Sequence, residues 1–227
     1  MTEKPPVVIL HGFAGGPHET DVLQRYLEER NYPVISPVLA GHGGTRRDLL
    51  RHGPEEWIAS AKRQAEALCA AYGPPVLIGF SMGGLIAANL FSEVGARALV
   101  TVNTPIYFWN IPQIARNIQS DLQTGQRGHI EHYRSSVGKV PVRYALRFLM
   151  LLKKTKPIFW ELSCDALVLQ CMDDDTTWPK SAEYIKNCIG KRAALVHYEQ
   201  GGHLLFAGKA AEGACRQIEM FLTKISG

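Results

Sequence analysis

Residues 76–84 read Val76-Leu77-Ile78-Gly79-Phe80-Ser81-Met82-Gly83-Gly84, an apolar run that passes into G-x-S-x-G. A helical apolar pattern (Leu85, Ile86, Ala87, Ala88, Leu90, Phe91) follows at once. Only a buried strand that turns sharply into a core-facing helix satisfies all three parts. At such a turn the backbone passes so close to its neighbours that positions 79 and 83 exclude side chains. The serine is forced into a strained conformation with its hydroxyl projecting from the end of the sheet. Ser81 is therefore the candidate nucleophile.

Around this segment, short β-branched runs alternate with helical patterns. Strands are predicted at Val7-Val8-Ile9-Leu10, Val34-Ile35-Ser36-Pro37-Val38, 98–102, 166–170 and 193–198. The proline in the second places it near an edge or a bulge. Thr20 is placed to cap a helix carrying Val22, Leu23, Tyr26 and Leu27. Pro54 precedes a helix with Trp57, Ala61, Ala65, Leu68 and Tyr72 on one stripe, stopped by Gly73-Pro74-Pro75, and a final helix carries Ala214, Ile218, Phe221, Leu222 and Ile225. Alternation of this kind predicts an α/β fold, a mostly parallel sheet of about six strands wrapped by helices. The 227 residues suit one domain. The rhythm breaks only after Thr104, where residues 106–160 read as helices without a strand. An insertion of this size in front of the strand at 166–170 reads as a helical lid rather than a second domain.

Composition removes several classes of function. A net charge of +4 without a basic stripe or a recognition module argues against nucleic acid as a partner. The five cysteines are scattered and without C-x-x-C spacing, which predicts reduced thiols and a cytoplasmic enzyme. Met1-Thr2-Glu3-Lys4-Pro5-Pro6 runs straight into a strand pattern, so no secretory leader is expected. No apolar stretch has transmembrane length. Neither phosphate-binding glycine motif is present, and no histidine–carboxylate cluster has metal-ligand spacing, so no cofactor and no metal are expected.

A serine hydroxyl becomes a nucleophile when a histidine accepts its proton and a carboxylate holds that imidazole. Of the eight histidines, His203 follows the last strand in a glycine-rich loop, Glu199-Gln200-Gly201-Gly202. His129 and His132 lie in the insertion, His18 and His52 near polar segments, and His197 inside a strand; these read as structural or solvated. The acid is expected just past the strand at 166–170, where Asp173, Asp174 and Asp175 are adjacent. Spacing does not choose among them, and the two not used are expected to face solvent or cap the next helix. After the first strand, His11-Gly12-Phe13-Ala14-Gly15-Gly16 forms a glycine turn that can aim a backbone N–H at a developing oxyanion, with the Met82 N–H as the second donor.

These residues together resemble the α/β-hydrolase superfamily and, within it, the small bacterial carboxylesterase and monoacylglycerol lipase branch. The resemblance rests on His11-Gly12-Phe13 with Gly15, Gly41-His42-Gly43, the Trp57 segment, Gly79 to Gly84, Thr104-Pro105, the aspartate loop and Gly202-His203. It covers nearly the whole chain and is weakest over 106–160. It implies Asp174 as the acid, aligned through Pro179 and Ala182, with Asp175 as the fallback. Phe13 and Met82 become the oxyanion donors, and His42 a structural residue. Gly201-Gly202 departs from the family pattern and is expected to loosen the histidine loop.

The implied reaction is hydrolysis of a small-molecule ester, a short- to medium-chain acyl ester or monoacylglycerol. Thioesterase or acyltransferase chemistry, or a non-catalytic ligand-binding role, are the alternatives. Ile106, Phe108, Trp109 and Leu149 are the expected substrate contacts, among the apolar residues of the insertion that also include Tyr107, Ile111, Phe148, Leu151 and Leu152. Arg143, Arg147, Lys153 and Lys154 make the last insertion helix cationic. That permits transient contact with anionic lipid surfaces, although a solvated face is the preferred reading.

Overall fold

Six strands form one wholly parallel sheet: β1 (Val7–Leu10), β2 (Val34–Ile35), β3 (Val76–Phe80), β4 (Ala98–Val102), β5 (Asp165–Cys171) and β6 (Ala193–Tyr198), in the order β2-β1-β3-β4-β5-β6. The computed structural model describes residues 4–136 and 142–226. Residues 1–3, 137–141 and 227, and the side chains of Arg46, His132, Ser135 and Ser136, lie outside the described residues. Part of the 106–160 insertion and half of the Met1–Pro6 segment read for a leader therefore fall outside them.

β1, β3 and β4 are buried along their whole length because helices cover both faces of the sheet. On one face Leu10, Leu77, Leu99 and Val168 pack with α3 (Pro54–Tyr72), α4 (Met82–Leu90), α7 (Val142–Thr155) and α8 (Lys180–Ile189). On the other, Ile9, Ile78, Val100 and Leu167 pack with Leu23 and Leu27 of α1 (Asp21–Glu28) and Ile218 and Leu222 of α9 (Ala211–Ser226). Side chains alternate between the two clusters residue by residue, as a pleated strand requires. The remaining helices are α2 (Arg46–Arg51) and, between β4 and β5, α5 (Ile111–Thr124) and α6 (Gly128–Ser136).

Some local expectations are corrected. The second strand pairs only through Val34 and Ile35; Pro37, with no N–H, cannot extend the ladder. Thr20 does not cap α1 with its side chain; its hydroxyl donates to the Pro17 carbonyl at 3.1 Å. Tyr72, at the end of the α3 stripe, is exposed. No described helix is long and apolar enough to cross a membrane.

The sheet order places the site. From β1 the chain goes outward to β2, then returns to add β3 on the other side, so the loops after β1 and β3 diverge. A crevice opens at such a switch point beyond the carboxyl ends of the strands. The His11–Gly16 turn and Ser81 sit at that crevice.

Candidate active site

Ser81 joins β3 to α4 with φ 51° and ψ −121°, a left-handed conformation that costs a non-glycine residue roughly 1–3 kcal/mol. Its own N–H donates to the Val102 carbonyl at 2.8 Å, which anchors the turn to β4. A Cβ at position 79 would lie 2.3 Å from the Gly84 backbone, and one at 83 would lie 2.1 Å from the Leu10 carbonyl oxygen. Glycine at both places is thus a matter of volume.

The Ser81 Oγ lies 3.0 Å from His203 Nε2. On the far side of the ring, His203 Nδ1 lies 2.9 and 3.1 Å from the two carboxylate oxygens of Asp174. Asp174 is fully buried, and its Oδ1 also accepts the Thr176 and Thr177 N–H groups, each at 2.8 Å. Burial of His203 opposes its protonation. The charge of Asp174 and the hydrogen bond to it outweigh that, with Asp175 and Glu19 adding, so its pKa stands above the ordinary 6.5.

The neighbouring aspartates are not simply solvated, contrary to the sequence expectation. Asp173 accepts the N–H groups of Gly201 and Gly202 at 3.2 and 2.8 Å, so its carboxylate ties down the histidine loop that the paired glycines were expected to loosen. Asp175 accepts the Tyr133 hydroxyl at 2.6 Å and is 3.4 Å from the Asn117 amide, which joins α5 and α6 to the acid loop. Asn110 adds its side-chain amide to the Asp174 carbonyl at 2.8 Å.

Asn103, unremarked in the sequence, joins these loops. It is fully buried one residue past β4, at φ 46°. Its amide donates to the carbonyls of Gly202 and His203 at 3.0 and 2.8 Å, and its carbonyl accepts the Cys171 N–H at 2.8 Å. An asparagine directly after the strand pattern at 98–102 was the available signal.

On the opposite flank, His11 Nδ1 donates to the Gly12 carbonyl at 3.0 Å and Nε2 accepts the Leu39 N–H at 3.1 Å. Both ring nitrogens are used in the neutral tautomer, and burial brings the His11 pKa down to about 4. The carbonyl and N–H of a trans peptide point in opposite directions. Holding the Gly12 carbonyl therefore orients the Phe13 N–H, which donates to no other group among the described residues; nor does the Met82 N–H. From the other side Glu19 accepts the Gly12 N–H at 2.9 Å; burial raises the pKa of this carboxyl. Glu19 was not singled out in the sequence either.

The expected substrate contacts are dispersed. Ile106 belongs to the core, whereas Trp109 is 67% exposed and Leu149 is also exposed. Phe108 meets Phe148 edge-on at 6.1 Å, and Phe148 meets Phe13 at 5.0 Å, so an apolar path runs from the insertion to Phe13. His129 pairs with Asp121 inside the insertion at 2.7 Å, and His18 and His197 are exposed. Among the described residues no cluster could hold a metal ion.

A strained serine at a strand–helix turn, with an imidazole and a carboxylate in line behind it, is the arrangement of a nucleophilic hydrolase built on a parallel sheet. The alpha/beta hydrolase family matches residues 7–214, and the chain belongs to that family. It is 25% identical over 228 residues to a carboxylesterase of Bacillus subtilis (strain 168), covering 96% of this chain and 92% of the relative. To the thermostable monoacylglycerol lipase of Bacillus sp. (strain H-257) it is 27% identical over 194 residues, 79% of this chain and 74% of that one. The fold recurs in a solved structure of the metagenome-derived lipolytic enzymes LipS and LipT, with a TM-score of 0.80 at 18% identity over 99% of this chain and 95% of that one. A soluble variant of the Saccharomyces cerevisiae monoglyceride lipase gives a TM-score of 0.74 at 17% identity over 100% and 89% of the two chains.

Proposed function

We propose that the protein is a serine carboxylic-ester hydrolase acting through an acyl-enzyme on short- to medium-chain acyl esters or monoacylglycerols. The observation that carries this reading is the unbroken line from Ser81 Oγ through His203 to Asp174 at hydrogen-bond distances. Family membership and the ester-hydrolase names of the relatives support it.

In this mechanism His203 Nε2 takes the Ser81 proton as Oγ attacks the ester carbonyl carbon. The imidazolium that forms is stabilised by the Asp174 carboxylate. Negative charge on the former carbonyl oxygen is received by the N–H groups of Phe13 and Met82, each worth about 3–4 kcal/mol in such sites. His203 then protonates the leaving alkoxide, and a water molecule, deprotonated by the same imidazole, releases the acid and regenerates Ser81. The insertion at 106–160 serves as the lid, with Phe108 and Phe148 leading the acyl chain toward Phe13.

A panel of acyl esters graded by chain length, with thioesters of the same acids, tests the reading against a Ser81→Ala control. Turnover that requires Ser81 and prefers oxygen esters of short to medium chains is expected. Wild-type protein no faster than Ser81→Ala, or unlabelled at Ser81 by a fluorophosphonate, contradicts it.

A further inference from the structure

Tyr144 opens the well-packed part of α7, yet its contacts are with the turn after β1. The side chain is fully buried, and its ring lies flat on that of Phe13, 4.4 Å between centroids and 15° between planes. Trp57 meets it edge-on at 5.3 Å. Its hydroxyl is 2.7 Å from His42 Nε2. His42 Nδ1 lies 3.2 Å from the Ala40 carbonyl, which leaves Nε2 as the acceptor and Tyr144 as the donor. The His42 ring in turn stands edge-on to His11 at 4.9 Å, and His11 is the residue that holds the Gly12 carbonyl.

One tyrosine of the insertion thus reaches the Gly12–Phe13 peptide by two routes, directly through the Phe13 ring and indirectly through the two histidines. The turn needs such holding. Ala14, the next residue, sits at φ 57°, a conformation that a non-glycine residue keeps only when its surroundings impose it. The backbone N–H of Ala14 faces the Tyr144 hydroxyl.

We propose that Tyr144 is a positioning residue for the oxyanion hole: docked by α7 against Phe13 and His42, it sets the direction of the Phe13 N–H. This rests on the reading of Phe13 as an oxyanion donor in an ester hydrolase. It makes the insertion part of the catalytic apparatus, because the hole is complete only while α7 is seated. Any opening that admits substrate is then confined to α5 and α6, which are held to the acid loop by polar contacts.

The test uses the full chain with Tyr144→Leu, Tyr144→Phe and, as control, Met150→Ser, an exposed position on the same helix. Steady-state kinetics on a short ester are compared with affinity for a trifluoromethyl ketone, whose adduct with Ser81 carries an oxyanion. Tyr144→Leu is expected to lower kcat about 10- to 100-fold, short of the loss of a whole donor, with KM within about threefold. Affinity for the ketone falls in parallel, and the pH midpoint of activity, which reports His203, stays in place.

Tyr144→Phe keeps the stack and loses the hydroxyl, so about a three- to tenfold loss is expected; Met150→Ser behaves as wild type. A folded Tyr144→Leu with wild-type kcat and ketone affinity, or with a raised KM alone, overturns the proposal. Should the leucine variant fail to fold by circular dichroism, Tyr144→Phe decides, and a loss of less than about threefold counts against it. A wild-type protein no faster than Ser81→Ala removes the hydrolase reading and this role with it; an active wild type with unaffected Tyr144 variants removes this role alone.

Discussion

The two flanks of Ser81 are braced differently, the proposed triad side by polar groups and the proposed oxyanion side mainly by rings, with Glu19 on the Gly12 N–H. On the triad side, carboxylates and an asparagine hold backbone amides: Asp173 on Gly201 and Gly202, Asp174 on Thr176 and Thr177, Asn103 between two loops. On the oxyanion side, rings pack on rings, with Phe13, Trp57, His42 and Tyr144 in contact. The same residue type meets opposite fates in the two settings. His203, facing a carboxylate, has its pKa raised; His11 and His42, buried among rings and backbone groups, have theirs lowered. A histidine that must carry a proton needs a charge behind it, and one that must hold a peptide plane is better kept neutral.

Substitution separates the flanks, beginning on the triad side. Asp174→Asn is expected to cut kcat by about 10³–10⁴ with KM little changed, measured by steady-state kinetics, while Asp175→Asn costs less than about tenfold. A reversal of these two would move the acid to Asp175 and undo the contrast between catalytic and bracing carboxylates.

Asn103→Asp keeps an acceptor for the Cys171 N–H but sets an anion against the Gly202 and His203 carbonyls. A loss of about 10- to 100-fold in kcat is expected, with roughly 1–3 kcal/mol of stability by urea unfolding.

Titration sharpens the comparison further. In the proposed mechanism His203 acts as base only when neutral, so kcat/KM is expected to fall as pH drops through a midpoint above 6.5. The stability His203 gains from its partner runs the other way: fully present below its unfolded pKa and lost as pH rises through the folded one. His11 contributes stability that is present above 6.5 and lost as pH falls toward about 4. Thermal unfolding against pH checks this, since His11→Gln should flatten the acid limb without moving the kinetic midpoint.

Smallest of all, Glu19→Gln keeps an acceptor for the Gly12 N–H while removing a charge that favours protonated His203. It should leave kcat within about threefold and lower the kinetic midpoint slightly.

What could be read from the sequence was what depends on neighbours along the chain. The elbow, the parallel strands and the glycine turn after β1 are local patterns whose geometry follows from volume and periodicity. Chain order and the family resemblance also brought Ser81 together with His203 and Asp174, but the distant contacts that brace them were not legible. Three adjacent aspartates look alike until the loop folds, when only Asp174 is turned inward onto the amides of Thr176 and Thr177. Asp173 acts on glycines nearly thirty residues away, and Asn103 acts across a hundred. Tyr144 looks like any apolar position of an amphipathic helix, and its partner His42 lies in a turn 102 residues earlier.

Intact-protein and peptide mass spectrometry after rapid acid quench with a chromogenic short-chain ester tests the central claim most directly. The account predicts an acyl adduct on Ser81 that forms with the burst of alcohol and decays at the steady-state rate. In Asp174→Asn the adduct should form about 10³-fold more slowly and, because the same imidazole deprotonates the water, decay more slowly as well, and in Ser81→Ala it should be absent. Ester turnover without an adduct at Ser81, undiminished in Ser81→Ala, would contradict it.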